Sequence, residues 1–327
     1  MSDFSFAHLT PSLILDAIES LGVRVSSGLL ALNSYENRVY QFSTEEHGRL
    51  VVKFYRPQRW THAQIIEEHT FSAELKAHEL PVISPAIFDN KSLHEYEGYH
   101  FVLFPSVGGR EFEVDNLDQI EWMGRLIGRI HACSAKQAFE HRLSINVEEY
   151  LQQPQKILRE GDLVPHHLHI PFFTILEQVS DLATRLYAQG ESGINMIRLH
   201  GDCHPGNILW RDGPSFVDFD DCRSGPAIQD LWMMLSGDQQ QQQLQLMTLL
   251  EAYEEFNEFD TRELALIEPL RAMRMVHYMA WLSKRWADPA FPRAFPWFGE
   301  DKYWENQILS LKEQFSALQQ PAIRLHP

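Results

Sequence analysis

Cysteine is scarce in this chain. Cys133, Cys203 and Cys222 are the three in 327 residues, too few and too scattered for a disulfide framework or a zinc site. They read as reduced thiols. Cations are also in short supply, with 28 lysines and arginines against 45 aspartates and glutamates and a net charge of −17. That balance lacks the basic footprint of a nucleic-acid-binding protein, and its long-range field favours a basic or neutral partner. No apolar run approaches the roughly 20 residues of a membrane span, and the N-terminus carries no charged and apolar signal segment. The expected protein is cytoplasmic, monomeric, and bound to neither membrane nor nucleic acid.

What is present is concentrated in one stretch. His200-Gly201-Asp202-Cys203-His204-Pro205-Gly206-Asn207 leads through Ile208-Leu209-Trp210 and a turn to Phe216-Val217-Asp218-Phe219-Asp220. Two short apolar runs flank Arg211-Asp212-Gly213-Pro214, whose Asp-Gly pair signals a chain reversal. A four-residue loop there sets Trp210 opposite Ser215, Leu209 opposite Phe216, Ile208 opposite Val217 and Asn207 opposite Asp218. Facing residues have Cβ atoms about 5 Å apart. An amide oxygen would then lie beside a carboxylate, a hard-oxygen pair suited to magnesium.

Asp202 precedes Asn207 with four residues between them, the spacing at which kinase loops place a base for the acceptor hydroxyl and a metal-holding amide. Asp and Asn also serve as plain turn caps. The full pattern and the second carboxylate across the hairpin weigh against that reading.

The segment from His200 to Asp218 resembles the aminoglycoside phosphotransferase-like branch of the protein-kinase fold, which includes choline and homoserine kinases. The resemblance extends over nearly the whole chain, through Asn33 to Phe42, Val51 to Tyr55, Phe104 to Arg110, Gly225 to Trp232, Glu268 to Arg274 and Trp286 to Pro292. Within the branch, these flanking blocks are similar to bacterial stress-response serine/threonine protein kinases. The resemblance implies an α+β, bilobal protein-kinase-like fold. Residues 1–103 would form an N-terminal antiparallel-sheet lobe that binds ATP, and residues 104–327 a mainly helical catalytic and substrate lobe. It implies transfer of the ATP γ-phosphoryl, assisted by Mg2+, to serine or threonine of a protein substrate, including the enzyme itself. A small-molecule kinase of amino alcohol, homoserine, choline or aminoglycoside type is the alternative. A nucleotide-binding regulator without turnover is a third reading, disfavoured by the intact set Lys53, Asp202, Asn207 and Asp218.

Local patterning agrees with that order. Val39 to Phe42, Leu50 to Tyr55 and Tyr99 to Phe104 are rich in β-branched and aromatic residues and read as strands. From Leu117 onward the pattern turns helical, with Ile120, Met123, Ile127 and Ile130 at helical spacing. Gly124 and Gly128, one turn apart, would admit a close neighbouring helix. The tract Gln239 to Gln243 reads as a solvated helix start, and His166-His167-Leu168-His169 as a surface loop.

Lys53 lies in an apolar strand, where a buried ammonium needs an anionic partner. The helix expected from Thr61 to about His78 offers Glu67, Glu68 and Glu74. Ile65, Glu68, Phe71 or Ser72, and Leu75 share one stripe, which selects Glu68 as the inward one. Asn33-Ser34-Tyr35-Glu36-Asn37 is not Gly-x-Gly-x-x-Gly; the resemblance makes it the phosphate-covering loop, with Ser34 and Asn37 as donors. By the same analogy the backbone of Phe104 contacts adenine, and Asp230 holds the catalytic-loop backbone. His-Gly-Asp replaces His-Arg-Asp, and no Ala-Pro-Glu follows Asp218-Phe219-Asp220. Activity is therefore expected without activation-loop phosphorylation.

Overall fold

The computed structural model describes residues 5–325. In its first half the chain forms α1 (Pro11–Glu19), β1 (Leu30–Ala31), β2 (Arg38–Ser43), β3 (Arg49–Phe54), α2 (His62–Ala77), β4 (His94–Tyr96), β5 (Tyr99–Pro105), β6 (Arg110–Glu111), α3 (Leu117–Ser134) and α4 (Gln153–Glu160). In its second half come α5 (His169–Gly190), β7 (Ile197–Leu199), β8 (Ile208–Trp210), β9 (Pro214–Phe216), β10 (Arg223–Gly225), α6 (Gln229–Trp232), α7 (Gln239–Tyr253), α8 (Ile267–Arg285), α9 (Ala290–Ala294) and α10 (Asp301–Leu318). Antiparallel sheet dominates the N-terminal part and helices the C-terminal part. The chain groups into two units: residues 1–113, 139–142 and 204–222, and residues 114–138, 143–203 and 223–327.

In the first unit five antiparallel strands run in the order β1-β2-β3-β5-β4. Strand alternation sorts β3 by face. Leu50, Val52 and Phe54 point into a core with Phe42, Phe101, Leu103 and the buried face of α1. Lys53 therefore faces the other way, paired in register with Val39 and Val102. Helix α2 starts where expected, at a capping box in which Thr61 and Gln64 bond reciprocally. Its buried stripe is Ile65, Glu68, Phe71, Ser72 and Leu75, with His69 added.

The β8–β9 hairpin departs from the expected register by one residue. Ile208 faces Phe216, Leu209 faces Ser215 and Trp210 faces Pro214. Asp212 and Gly213 take positive φ angles of 57° and 134°, and the Arg211 N–H donates to the Gly213 carbonyl at 2.9 Å. That closes the loop in three residues and draws Pro214 into the strand. Asn207 is then opposite Val217, whose N–H donates to the Asn207 carbonyl at 3.0 Å. Asp218 follows with left-handed φ 59° and ψ 66°, turning the chain into a 3-10 helix over Phe219–Asp221.

In the second unit α3 packs along α7. A Cβ on Gly124 would meet the Leu249 carbonyl oxygen at 2.3 Å, and one on Gly128 the Tyr253 carbonyl oxygen at 2.5 Å. These glycines are the close-approach points that their spacing suggested. The glutamine tract opens α7 under an Asp238 cap. The late tryptophans divide: Trp304 is fully buried against Phe172 and Phe298, Trp281 is half-buried and packs on Phe291 and Phe295, and Trp297 is exposed. Among the described residues no helix is long and apolar enough to cross a membrane.

Candidate active site

The first unit gathers most of the candidate residues around Lys53. Its Nζ lies 3.2 Å from Glu68 Oε1, 3.3 Å from Asp220 Oδ1 and 3.5 Å from Asp218 Oδ1. Glu68, the glutamate that helical phase turns inward, is the one beside Lys53. Burial opposes the lysine's charge, but Asp220 and Glu68 outweigh it and hold its pKa well above the ordinary value. Glu68 goes up as well, because burial costs its carboxylate more than Lys53 returns. Asp220 goes down: burial works against its charge and is overcome by Lys53, Arg59 and Arg142. The lysine is charged and Asp220 ionised. Tyr55 joins the cluster, its hydroxyl donating to Glu68 at 3.2 Å and lying 2.8 Å from His69 Nε2.

Arginines tie this cluster to its surroundings, and sequence reasoning missed them. Arg59, just before α2, bonds Asp220 and reaches Asp221 Oδ1 at 2.7 Å. Its Nε is also 3.9 Å from Glu36 in the loop expected to cover phosphate. Arg56 holds the same Glu36 at 2.8 Å. Arg142 donates to the carbonyls of Asp220 and Cys222. The segment carrying it is gripped by the glutamate not chosen: Glu67 accepts N–H bonds from Glu140, His141 and Arg142 at 2.6, 2.9 and 2.7 Å. An arginine reaching across tens of positions leaves no periodic trace, so only the demand for counter-charges around four acids could have pointed to these three.

The remaining candidates of this unit sit as follows. Asn37 is 3% exposed; its side-chain oxygen accepts the Arg56 N–H at 3.0 Å, and its side chain also bonds Asp220. The Ser34 hydroxyl is 3.4 Å from the Asn37 carbonyl. Phe104 pairs with Val51 in the sheet, its ring 5.7 Å from Lys53 Nζ. The Asp218 side chain is half exposed, at 51%, while that of Asp220 is 5% exposed. Asn207 and Asp218, an amide and a carboxylate with no thiolate or imidazole in the set, have the donor chemistry of magnesium.

The second unit holds Asp202. Asp230 accepts the His200 N–H at 2.8 Å and the Gly201 N–H at 2.9 Å. Gln229 donates to the Gly201 carbonyl at 3.1 Å, and His131 lies 3.3 Å from Asp230. Asp230 thus holds the loop backbone, as the resemblance implied. Gly201 has φ 83°, a left-handed position that a side chain would strain. The Asp202 side chain is 25% exposed and is met by Arg274 of α8, Nη1 to Oδ1 at 2.5 Å. Cys203, 1% exposed, has its thiol pKa pushed well up by burial and by Asp230 and Asp202, which makes a reactive thiolate unfavourable.

A lysine–glutamate pair, a base segment of Asp-x4-Asn spacing and a second carboxylate after a hairpin are the parts of a phosphoryl-transfer enzyme. Residues 29–267 match the family model described as the phosphotransferase enzyme family. The chain belongs to that family and is an ATP-dependent kinase.

It is 53% identical over 326 residues to stress response kinase A of Escherichia coli (strain K12), covering 100% of this chain and 98% of that protein. It is 50% identical over 324 residues to serine/threonine protein kinase RdoA of Salmonella typhimurium (strain LT2), covering 99% of this chain and 98% of that one. Among solved structures it is similar in fold to a microcompartment-associated aminopropanol kinase, at TM-score 0.73 and 20% identity, covering 96% of this chain and 99% of the other. An amicoumacin kinase in complex with AMP-PNP and Ca2+ gives TM-score 0.73 at 17% identity, covering 94% and 93%.

Proposed function

We propose that this chain is a serine/threonine protein kinase of a bacterial stress response, acting in the cytoplasm as a monomer and phosphorylating itself as well as a protein partner. One observation carries the acceptor class: identity of at least half of all residues, over the full length, to relatives named stress response kinase A and serine/threonine protein kinase RdoA. The chemistry follows from the residues. Asp202 orients the acceptor hydroxyl and takes its proton as the γ-phosphoryl leaves ATP. Lys53, fixed by Glu68, positions the phosphates, and the loop from Ser34 to Asn37 covers them. The backbone of Phe104 meets the adenine. Asn207 and Asp218 would hold magnesium, whose charge would neutralise the phosphate oxygens. Most of the acceleration comes from positioning and charge neutralisation, because the transition state is loose.

The test incubates purified protein with magnesium and γ-labelled ATP, alone and with a generic basic protein, beside Asp202→Ala. Label on protein serine or threonine, lost in the variant, is expected. Transfer only to a small hydroxyl compound would move the assignment to a metabolite kinase with the same site residues.

A further inference from the structure

We propose that Arg274 is the positioning residue for Asp202, fixing the orientation of the base carboxylate from helix α8. The inference rests on the reading of Asp202 as base.

The backbone leading to Asp202 and the Asp202 carboxylate are met by different groups. Asp230 and Gln229 bind the main-chain groups of His200 and Gly201, whereas Arg274 reaches the Asp202 carboxylate itself. On one side stands Gly201, without a side chain; on the other, Cys203 turns inward and is 1% exposed. A carboxylate a quarter exposed has several staggered rotamers open to it, and a charged partner on one oxygen favours the rotamer that keeps the contact. Arg274 is such a partner, through the 2.5 Å contact of Nη1 with Oδ1.

Its platform is rigid. Arg274 lies in the interior of the 19-residue helix α8, beside Ala272, Met273 and Val276, each fully buried. A guanidinium stays charged at any working pH and presents its donors in a fixed plane, so the restraint is permanent. The contact also draws electron density from the base. A loose phosphoryl-transfer transition state asks for orientation more than early proton removal, which makes that exchange favourable. Arg274 therefore supplies from α8 a cation that His-Gly-Asp lacks beside its aspartate.

Steady-state kinetics of Arg274→Ala, Arg274→Lys, Asp202→Ala and the double variant test this. Arg274→Ala is expected to lower kcat by about 10- to 100-fold, the scale of a misplaced reacting group. KM for ATP and the thermal midpoint should stay near those of the wild type. The Arg274 side chain is 41% exposed, so added guanidinium ion can reach the vacated place and restore part of kcat. Lysine should recover a portion as well. In the Asp202→Ala background, Arg274→Ala should have no further effect, since its whole contribution passes through that carboxylate. Unchanged kcat in Arg274→Ala, a rise in acceptor KM alone, or full additivity in the double variant would each overturn the proposal. Wild-type turnover by Asp202→Ala would instead overturn the base assignment on which it rests.

Discussion

Lys53 Nζ lies closer to Asp220 Oδ1, at 3.3 Å, than to Asp218 Oδ1, at 3.5 Å. Two carboxylates separated by a single residue are thus given different work. The left-handed backbone at Asp218 swings the chain into a short 3-10 helix, burying Asp220 against Lys53 and Arg59 while Asp218 stays half exposed. Asp220 balances charge inside the unit; Asp218, half exposed, is the one proposed above to hold magnesium.

Substitution separates the two roles. Asp220→Ala takes a buried carboxylate from Lys53 and Arg59, which keep Glu68 and Asp221, and is expected to cost at most about 3–5 kcal/mol of stability, read as a lowered midpoint in chemical denaturation. Asp218→Ala should leave that midpoint within about 1 kcal/mol, since its group is exposed, yet abolish phosphoryl transfer. Equal stability of the two variants would refute the division.

Adjacent glutamates on α2 differ in a similar way. Glu68→Ala removes the partner that fixes Lys53 and should reduce kcat at least about tenfold. Glu67→Ala frees three backbone N–H groups from a charged acceptor, each such bond worth about 1.5–3 kcal/mol at most. Amide exchange at Glu140, His141 and Arg142 should speed up, with turnover less affected than in Glu68→Ala. Slow exchange retained at those amides would argue against the clamp.

What could be read from the sequence was what short-range periodicity encodes. The alternation of β3 turned Lys53 away from the Leu50, Val52 and Phe54 face, and the 3.6-residue stripe of α2 brought Glu68 inward. The hairpin was legible as a hairpin, but its register was not. Whether the loop held three or four residues depended on positive φ at Asp212 and Gly213, a backbone choice that an Asp-Gly pair permits without dictating. The resemblance makes Asn37 a donor to phosphate, while its side chain turns inward to Arg56 and Asp220. Arg274 meets Asp202 across 72 positions, and no local pattern encodes such a contact.

The support of the Asp202 loop should also respond to pH. Glu263 accepts the Ile228 N–H at 2.8 Å, two residues before Asp230, and burial, aided by the Asp260 charge, raises its pKa from 4.5 to about 7. A carboxyl whose folded value lies above its unfolded one binds more protons when folded. Its contribution to stability is present below pH 4.5 and is lost as pH rises through about 7. Glu263→Gln keeps an oxygen for Ile228 and removes the ionisation. Relative to the wild type, the variant should gain on the order of 2 kcal/mol between pH 5 and pH 8. Thermal midpoints of both proteins across that range provide the check. A difference that stays constant with pH would mean that Glu263 is ionised throughout and that the loop's anchor is insensitive to protons.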